Sequence, residues 1–294
     1  MNGGKFMNYR TDLALEAALP LENHLPEGVA LHRKQEQGIT VEQVRITSPA
    51  GEHAIGKPMG EYSTLSLPPL WKGEGERMAS AVEILAQLLR DVLPEQGLVL
   101  IVGLGNPSIT ADALGPKTAQ GILATRHLTG LEPEFFRQLR PTAVLAPGVL
   151  GQTGMESAEI VQAAVEKFAP SAVIAVDALA AGETGRLGTT IQLSDSGIVP
   201  GAGAMNRRQE LSRKTLGIPV LALGIPTVCD AVSFAASFFP ETELPADVRR
   251  YDPLLITPKE IDQLTDRGSA ILSAAINRAL QPHLSAEELA FLTS

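Results

Sequence analysis

The chain is poor in cysteine and in long apolar runs. Cys229 is the single cysteine among 294 residues, so an internal disulfide cannot form and an oxidising compartment is not indicated. No run approaches the roughly 20 apolar residues that cross a bilayer, and the first residues have no signal-peptide core. We therefore expect a cytoplasmic protein with neither export nor a membrane span.

Positive charge is also scarce. The 24 Lys and Arg residues are outnumbered by 33 Asp and Glu residues, which gives a formal net charge of -9. Basic residues cluster only in short pairs such as Arg207-Arg208 and Arg249-Arg250, so the average field repels a phosphate backbone. We expect no direct binding to nucleic acid.

Several motifs of nucleotide binding and catalysis are missing. The dinucleotide motif G-x-G-x-x-G fails because Gly103 and Gly105 are followed by Ser108, and no Gly-Lys-Ser/Thr triplet of a P-loop occurs. Neither the G-x-S-x-G turn of serine hydrolases nor the H-E-x-x-H zinc motif is present. Cys229 lies in the apolar stretch VCDAVSF, which is typical of a buried, unreactive thiol.

The residues that are present follow a regular hydrophobic pattern. Amphipathic helices alternate with fully apolar strands, which is typical of a parallel sheet covered on both faces by helices. The pattern predicts helices at 76–93, 116–128 and 156–169, and strands at 98–104, 142–146, 172–178, 189–193 and 218–224. We predict an α/β three-layer sandwich with a mostly parallel central sheet.

The remaining segments complete this prediction. Alternating residues at 41–47 and 62–68 predict a small N-terminal antiparallel segment. The stretch 228–239 predicts another helix, and the Thr257-x-x-Glu260 spacing predicts a capping box at the start of a closing helix. The Gly- and Ser-rich connection 194–216 has a length that compact domains usually reserve for function.

Two aspartates follow apolar strands of the predicted sheet. Ligands of open parallel sheets bind beyond the carboxyl ends of the strands, where Asp112 and Asp177 are expected. If the two carboxyl groups face each other they share one proton, so that one is a base that activates water and the other an acid that polarises a carbonyl. This is the chemistry of peptide hydrolysis without a covalent intermediate. The alternative is that each aspartate only caps a helix.

Other polar residues are weaker candidates. Asp195, in the stretch SDSG, is more typical of a turn, and Asp230 is typical of negative charge in the first turn of a helix. His127, late in a predicted helix, could approach the aspartates, although such a residue more often only finishes a helix. Asn106, Ser108 and Thr190 are candidate hydrogen-bond donors around the pair.

Five ordered motifs resemble the germination proteases of spore-forming bacteria. They are GLGNPSITADALGP, APGVLGQTGMESAEI, VIAVDALAA, TTIQLSDSGIVPGAGAMNRRQELS and LGIPVLALGIPTVCDAV, which together cover about residues 97–234. The resemblance implies an endopeptidase that degrades small acid-soluble spore proteins in the spore core at germination. It also implies an atypical aspartic peptidase with a fold akin to hydrogenase-maturation proteases, a homotetramer, and catalytic aspartates at Asp112 and Asp177.

The family resemblance also implies a zymogen. A stretch similar to RTDLA places the cleavage of a propeptide, residues 1–12, between Asp12 and Leu13, and leaves residues 13–294 as a single α/β peptidase domain. Family substrates are cut after an acidic and before an aliphatic residue, so we expect a cationic pocket. Arg207 and Arg208 of the long loop are our hypothesis for it.

Two other functions stay open on the sequence. One is a metal-dependent maturation-type peptidase with the same cleft, although we predict neither metal nor cofactor. The other is a non-catalytic α/β protein in which the glycine-rich stretches GLGN and PGVLGQTG bind a small anion on backbone N–H groups.

Overall fold

The structure is a computed structural model that describes residues 10–73, 75–128, 135–200, 209–236 and 254–293. The strands are β1 Val29–Glu36, β2 Ile39–Ile46, β3 Gly60–Ser66, β4 Val99–Gly103, β5 Thr142–Leu145, β6 Ala172–Ala181, β7 Thr190–Ser194, β8 Val220–Asp230 and β9 Leu255–Ile256. The helices are α1 Ala14–Ala18, α2 Pro49–Ile55, α3 Gly75–Val92, α4 Leu114–Gln120, α5 Phe135–Gln138, α6 Leu150–Thr153, α7 Ser157–Phe168, α8 Arg213–Leu216, α9 Ala231–Ala236, α10 Ile261–Leu280 and α11 Ala286–Leu292.

All these strands join one mixed sheet. The order is β1-β2-β3-β7-β8-β6-β4-β5, and β9 pairs with β8. β5, β4, β6 and β8 are parallel, as the apolar strands predicted. β1, β2, β3 and β7 are antiparallel, and β7 joins this half to β8 through the pair Gln192 and Gly224.

The prediction of a mostly parallel central sheet is therefore wrong, because the sheet is mixed. The antiparallel strands predicted at 41–47 and 62–68 exist, and they extend the central sheet. Alternation of apolar residues identifies an antiparallel strand with one solvated face, yet it does not identify the strand's partner.

Helices cover both faces of the parallel half, as predicted. Along β4, Val99 and Ile101 point into a core shared with α3, α4 and α10. Leu100 and Val102 point to the opposite face, where they pack with Ala158 and Val161 of α7 and its neighbours. Because successive strand residues alternate between faces, an unbroken apolar strand fills both layers at once.

The first described residues are also built into the molecule. In α1, Ala14, Leu15 and Ala18 are buried against Val44 and Ile46 of β2. The five-residue helix has no side-chain cap at its N-terminus, so this packing, and not helix propensity, holds it in place.

Three boundaries differ from the predictions. The helix predicted at 116–128 is α4, which ends at Gln120, and residues 126–128 form a separate 3-10 turn. β8 continues to Asp230 because Val228 and Cys229 still pair with β6, so the helix predicted from 228 begins at Ala231. The closing helix exists as α10, but its N-cap is Glu260 with no side-chain cap bond.

Thr257 does not cap α10 as predicted. Its hydroxyl donates instead to the carbonyl of Thr227, 2.9 Å away, and so ties the start of the closing segment to β8. None of the helices in the described ranges is both long and apolar enough to cross a membrane.

Candidate active site

Glycines let the main chains of β4, β6 and α4 touch at the predicted site. A Cβ on Gly115 would lie 2.1 Å from the Leu104 carbonyl oxygen and 2.5 Å from that of Val176. A Cβ on Gly103 would lie 2.3 Å from the carbonyl oxygen of Gly115. Gly103, at the end of β4, and Gly115, in the first turn of α4, therefore serve close backbone packing, which places the start of α4 directly on β6.

Asp112 lies in this loop, at the end of the 3-10 turn Thr110–Asp112. One carboxylate oxygen, Oδ2, accepts a hydrogen bond of 2.8 Å from the backbone N–H of Asn106. The Thr227 hydroxyl donates to the neighbouring carbonyl of Ala111 at 2.7 Å, which anchors the turn to β8. The carboxylate is thus held by the loop after β4, and the turn that carries it is anchored to β8.

Asp177 lies within β6, next to the contact made by Gly115. Only 4% of its surface is exposed, and its Oδ1 accepts a hydrogen bond of 2.9 Å from the N–H of Ala178. On the adjacent strand, a Cβ at Gly224 would lie 2.5 Å from the Asp177 carbonyl oxygen, so this glycine lets β8 approach. The side chain is held in a mostly apolar strand.

The structure brings the two predicted aspartates to one cavity. This aspartate cavity has a volume of about 210 Å³ and is lined by both Asp112 and Asp177. Its other walls are largely apolar and include Ile109, Val228 and Leu255. Carboxyl groups that meet between apolar walls interact strongly, because little water screens them. Such a pair can divide the roles of acid and base.

A second cavity, the lysine cavity, lies on the other side of Asp177. It measures about 290 Å³ and shares Asp177 and Ala178 with the aspartate cavity. Lys57, from the connection between α2 and β3, is the one Lys or Arg among its described lining residues, which also include Tyr62 and Glu210. Burial raises the pKa of Tyr62 to about 12, so its phenol stays neutral at ordinary pH.

The N-terminal segment enters the lysine cavity. The N–H of Asp12 donates to the Ala180 carbonyl, and the Asp12 carboxylate accepts from the Ala180 N–H, both at 2.8 Å. The Asp12 carbonyl accepts from Gln192 Nε2 at 3.1 Å, and Leu13 is fully buried. Ala180 is three positions beyond Asp177 on β6, about 10 Å along a strand. The Asp12-Leu13 bond is thus held near the aspartates but out of their reach.

The other predicted binding residues have different positions. The Asn106 side chain accepts from the Ser108 N–H and from Gln152, so it shapes the loop around Asp112. Thr190 is fully buried in β7 and is absent from the described residues that line the two cavities, so its position does not support contact with a substrate. Arg207 and Arg208 lie outside the described residues.

Asp195 and Asp230 have structural contacts. Asp195 accepts a hydrogen bond of 2.7 Å from the Glu61 N–H, which ties the end of β7 to β3. Asp230 ends β8 and accepts from the Ser233 N–H and hydroxyl, so it caps α9. These contacts agree with the turn and helix roles expected for both residues.

His127 lies far from the aspartates, and Cys229 is buried. His127 is exposed in the turn after α4, where the adjacent Thr125 N–H bonds the Thr142 carbonyl at the start of β5, the opposite end of the parallel strands from the site. The Cys229 thiol is buried, and burial, with a smaller effect of Asp230, raises its pKa to about 11. A thiol of this kind is a poor nucleophile near neutral pH.

Sequence reasoning did not find Lys57 or Gln192. Lys57 is a single lysine in a connection, and Gln192 is one polar residue of a strand, so neither stands in a recognisable motif. Only the antiparallel pairing brings them to Asp177. Across the ranges that the structure describes, no group of three or more His, Cys, Asp and Glu side chains could hold a metal ion.

Comparison with known proteins gives consistent matches. The family model described as germination protease matches residues 14–239. A germination protease of Caldanaerobacter subterraneus subsp. tengcongensis is 38% identical, over 96% of this chain and 97% of its own length. That of Clostridium perfringens is 37% identical over 96% and 98%, and that of Priestia megaterium 44% identical over 77% and 65%. The likeness thus extends beyond the five motifs to nearly the whole chain.

Proposed function

Since the chain belongs to the germination protease family, we propose that it is an endopeptidase that hydrolyses small acid-soluble spore proteins and that Asp112 and Asp177 are its acid and base. The observation that carries the proposal is the aspartate cavity, in which carboxyl groups from two separate strand ends lie between apolar walls. The relatives are named as proteases of germination, which supports a protein substrate.

The chemistry follows from one ionised and one protonated carboxyl group. The ionised aspartate takes a proton from water as the water oxygen bonds to the carbonyl carbon, while the protonated aspartate donates its proton to the carbonyl oxygen. Collapse of this intermediate breaks the C–N bond, and a proton passes to the departing nitrogen. The products are a carboxylic acid and an amine. The apolar walls strengthen each charge interaction along this path.

We also propose that the protein is made as a zymogen, cut between Asp12 and Leu13. The support is the position of the segment, since Asp12 lines the same cavity as Asp177, and Leu13 is buried against Leu179 of the same strand. Because Asp12 is paired with Ala180, the bond reaches the aspartates only after the segment leaves that strand. The spore core and a homotetramer complete the proposal, on the family resemblance alone.

The test is to incubate the purified full-length chain with a small acid-soluble spore protein and to read the cut sites by mass spectrometry. We expect cuts after acidic and before aliphatic residues, together with loss of residues 1–12 from the enzyme. A parallel reaction with a chelator keeps its rate if the aspartates act without a metal, and stops if the metal-dependent alternative is correct. An intact substrate after prolonged incubation contradicts the proposed function.

A further inference from the structure

We infer that Lys57, with the backbone of Ala180, binds an acidic side chain of the peptide substrate, and that Lys57 determines this preference. The inference rests on the proposed function and adds to it the residue that recognises the substrate. It replaces Arg207 and Arg208 in our earlier hypothesis with a lysine from the antiparallel half of the sheet.

The first support is that an acidic peptide already occupies the place. The segment 11–13 bends at Asp12, and Asp12 pairs with Ala180 through its own N–H and through its carboxylate. Lys57 Nζ donates to the Thr11 carbonyl at 2.6 Å. The site therefore holds one residue by its backbone and its carboxylate, and holds the preceding residue by a lysine. Once the segment has left Ala180, a substrate's acidic side chain can take the place of the Asp12 carboxylate while its backbone lies closer to Asp177.

The second support is the balance of charge around Lys57. Burial lowers the pKa of Lys57, and the nearby carboxylates of Asp12 and Glu16 oppose this effect. A buried ammonium is stable only with partners that carry negative charge or accept hydrogen bonds. The other acidic groups that line the lysine cavity are Asp177 and Glu210. Lys57 is thus the point in this cavity that attracts an anionic side chain.

The third support is what remains once residues 1–12 depart. Glu16 stays bound to the N–H groups of Gly182 and Glu183, at 2.7 and 3.0 Å, so it does not move to form an ion pair with Lys57. Lys57 loses the Thr11 carbonyl and the Asp12 carboxylate together. A substrate carboxylate restores that charge, whereas a neutral amide does not replace the charge that Asp12 supplied.

The fourth support is the position of the lysine cavity relative to the aspartates. The two cavities share Asp177 and Ala178 at the end of β6. A peptide whose carboxylate binds at Lys57 therefore lies next to Asp177, and the adjoining aspartate cavity, with Ile109 and Leu255 among its walls, can take a neighbouring apolar residue.

The experiment uses two synthetic peptides and the full-length protein after it has processed itself. One peptide copies residues 6–18, FMNYRTDLALEAA, and the other has asparagine in place of its aspartate at position 12. We expect the wild type to favour the aspartate peptide by about tenfold or more in kcat/KM, as for a hydrogen bond to a charged group. Lys57→Met should bring this ratio to about one, Lys57→Gln should do the same, and Lys57→Arg should retain a preference.

Controls separate the inference from the proposed function. Lys34→Met, on an exposed lysine that pairs with Glu36, should keep the wild-type ratio. If the wild type cuts neither peptide, the proposed function and the inference both fail. If it cuts both equally, if Lys57→Met and Lys57→Gln keep the preference or lower both rates alike, or if only Arg207→Ala and Arg208→Ala abolish the preference, the inference fails while the function stands.

Discussion

The aspartate cavity and the lysine cavity meet at Asp177 and Ala178 but differ in the groups that line the rest of their walls. The aspartate cavity is walled by apolar side chains and carries two carboxyl groups. The lysine cavity carries a cation, a phenol and several polar groups. An apolar wall favours proton transfer, and a polar wall favours selection of a charged side chain. This contrast is what the proposed function requires, with chemistry in the aspartate cavity and recognition in the lysine cavity, next to each other at Asp177.

The two cavities also draw differently on the two halves of the sheet. The aspartate cavity is built from parallel strands and their loops, whereas the lysine cavity combines β6 and β8 with β3, β7 and the connection before β3. Changes in the parallel half should therefore affect the rate of hydrolysis on all substrates. Changes in the antiparallel half should affect the choice among substrates.

The largest expected effect comes from the aspartates themselves. Asp177→Asn and Asp112→Asn each remove a group that gains or loses a proton, so kcat should fall by about a thousandfold on every peptide. KM should change far less. The measurement is steady-state cleavage of the two peptides above.

Asp195→Asn is the matched control for this prediction. Its side-chain oxygen can still accept from the Glu61 N–H, so the rate should stay within about twofold of wild type. If Asp195→Asn is as damaging as Asp177→Asn, the acid and base are wrongly assigned.

The next effect concerns the glycine contact beneath the aspartate cavity. In Gly115→Ala the new methyl group would overlap the carbonyl oxygens of Leu104 and Val176, so α4 must move. We expect a loss of about 3 kcal/mol in the free energy of unfolding, in spite of alanine's higher helix propensity. Chemical denaturation measures it.

Gly151→Ala tests whether a general effect of alanine could explain that loss. A Cβ at Gly151, in α6, would meet nothing within 4 Å, so this variant should be neutral or more stable by up to about 1 kcal/mol. Equal destabilisation of the two variants would show that the backbone contact at Gly115 is unimportant.

The smallest effect concerns the anchor between β8 and the Asp112 turn. Thr227→Val removes the hydroxyl that donates to the Ala111 carbonyl, in a fully buried position. We expect a loss of about 1–2 kcal/mol in stability and a several-fold fall in kcat, with the ratio between the two peptides unchanged.

Thr47→Val is the comparison for the anchor. Its hydroxyl donates to the Gly28 carbonyl at an exposed position, where water can replace the bond. Stability should hardly change there. If Thr227→Val alters the ratio between the peptides, the division of rate and selection between the two cavities is incorrect.

Much of the parallel half could be predicted from the sequence. Its strands are apolar without interruption, and the sheet rule places Asp112 and Asp177 at a shared end. The end of β8 could not be predicted, because VCDAVSF fits a strand or a helix equally well by periodicity. Its actual form depends on pairing with β6 and β9, which are distant in the chain.

The polar residues of the lysine cavity were less predictable for a related reason. Lys57 contacts the Thr11 carbonyl from 46 positions away, and Gln192 contacts the Asp12 carbonyl from 180 positions away. No local pattern marks such residues, because their role arises from the register of the antiparallel strands. Arg207 and Arg208 of the long loop were the more obvious choice from the sequence, and they are not among the described residues.

The glycine contact of β4, β6 and α4 has a consequence for motion. Asp112 and Asp177 are carried by main chains that touch without intervening side chains, so a rotamer change of a neighbouring side chain cannot widen the separation of their backbones. Backbone fluctuations of the two residues should therefore be correlated, with the turn before α4 following β6. The backbone spacing of the pair then belongs to the rigid frame of the protein, and substrate binding has no need to set it.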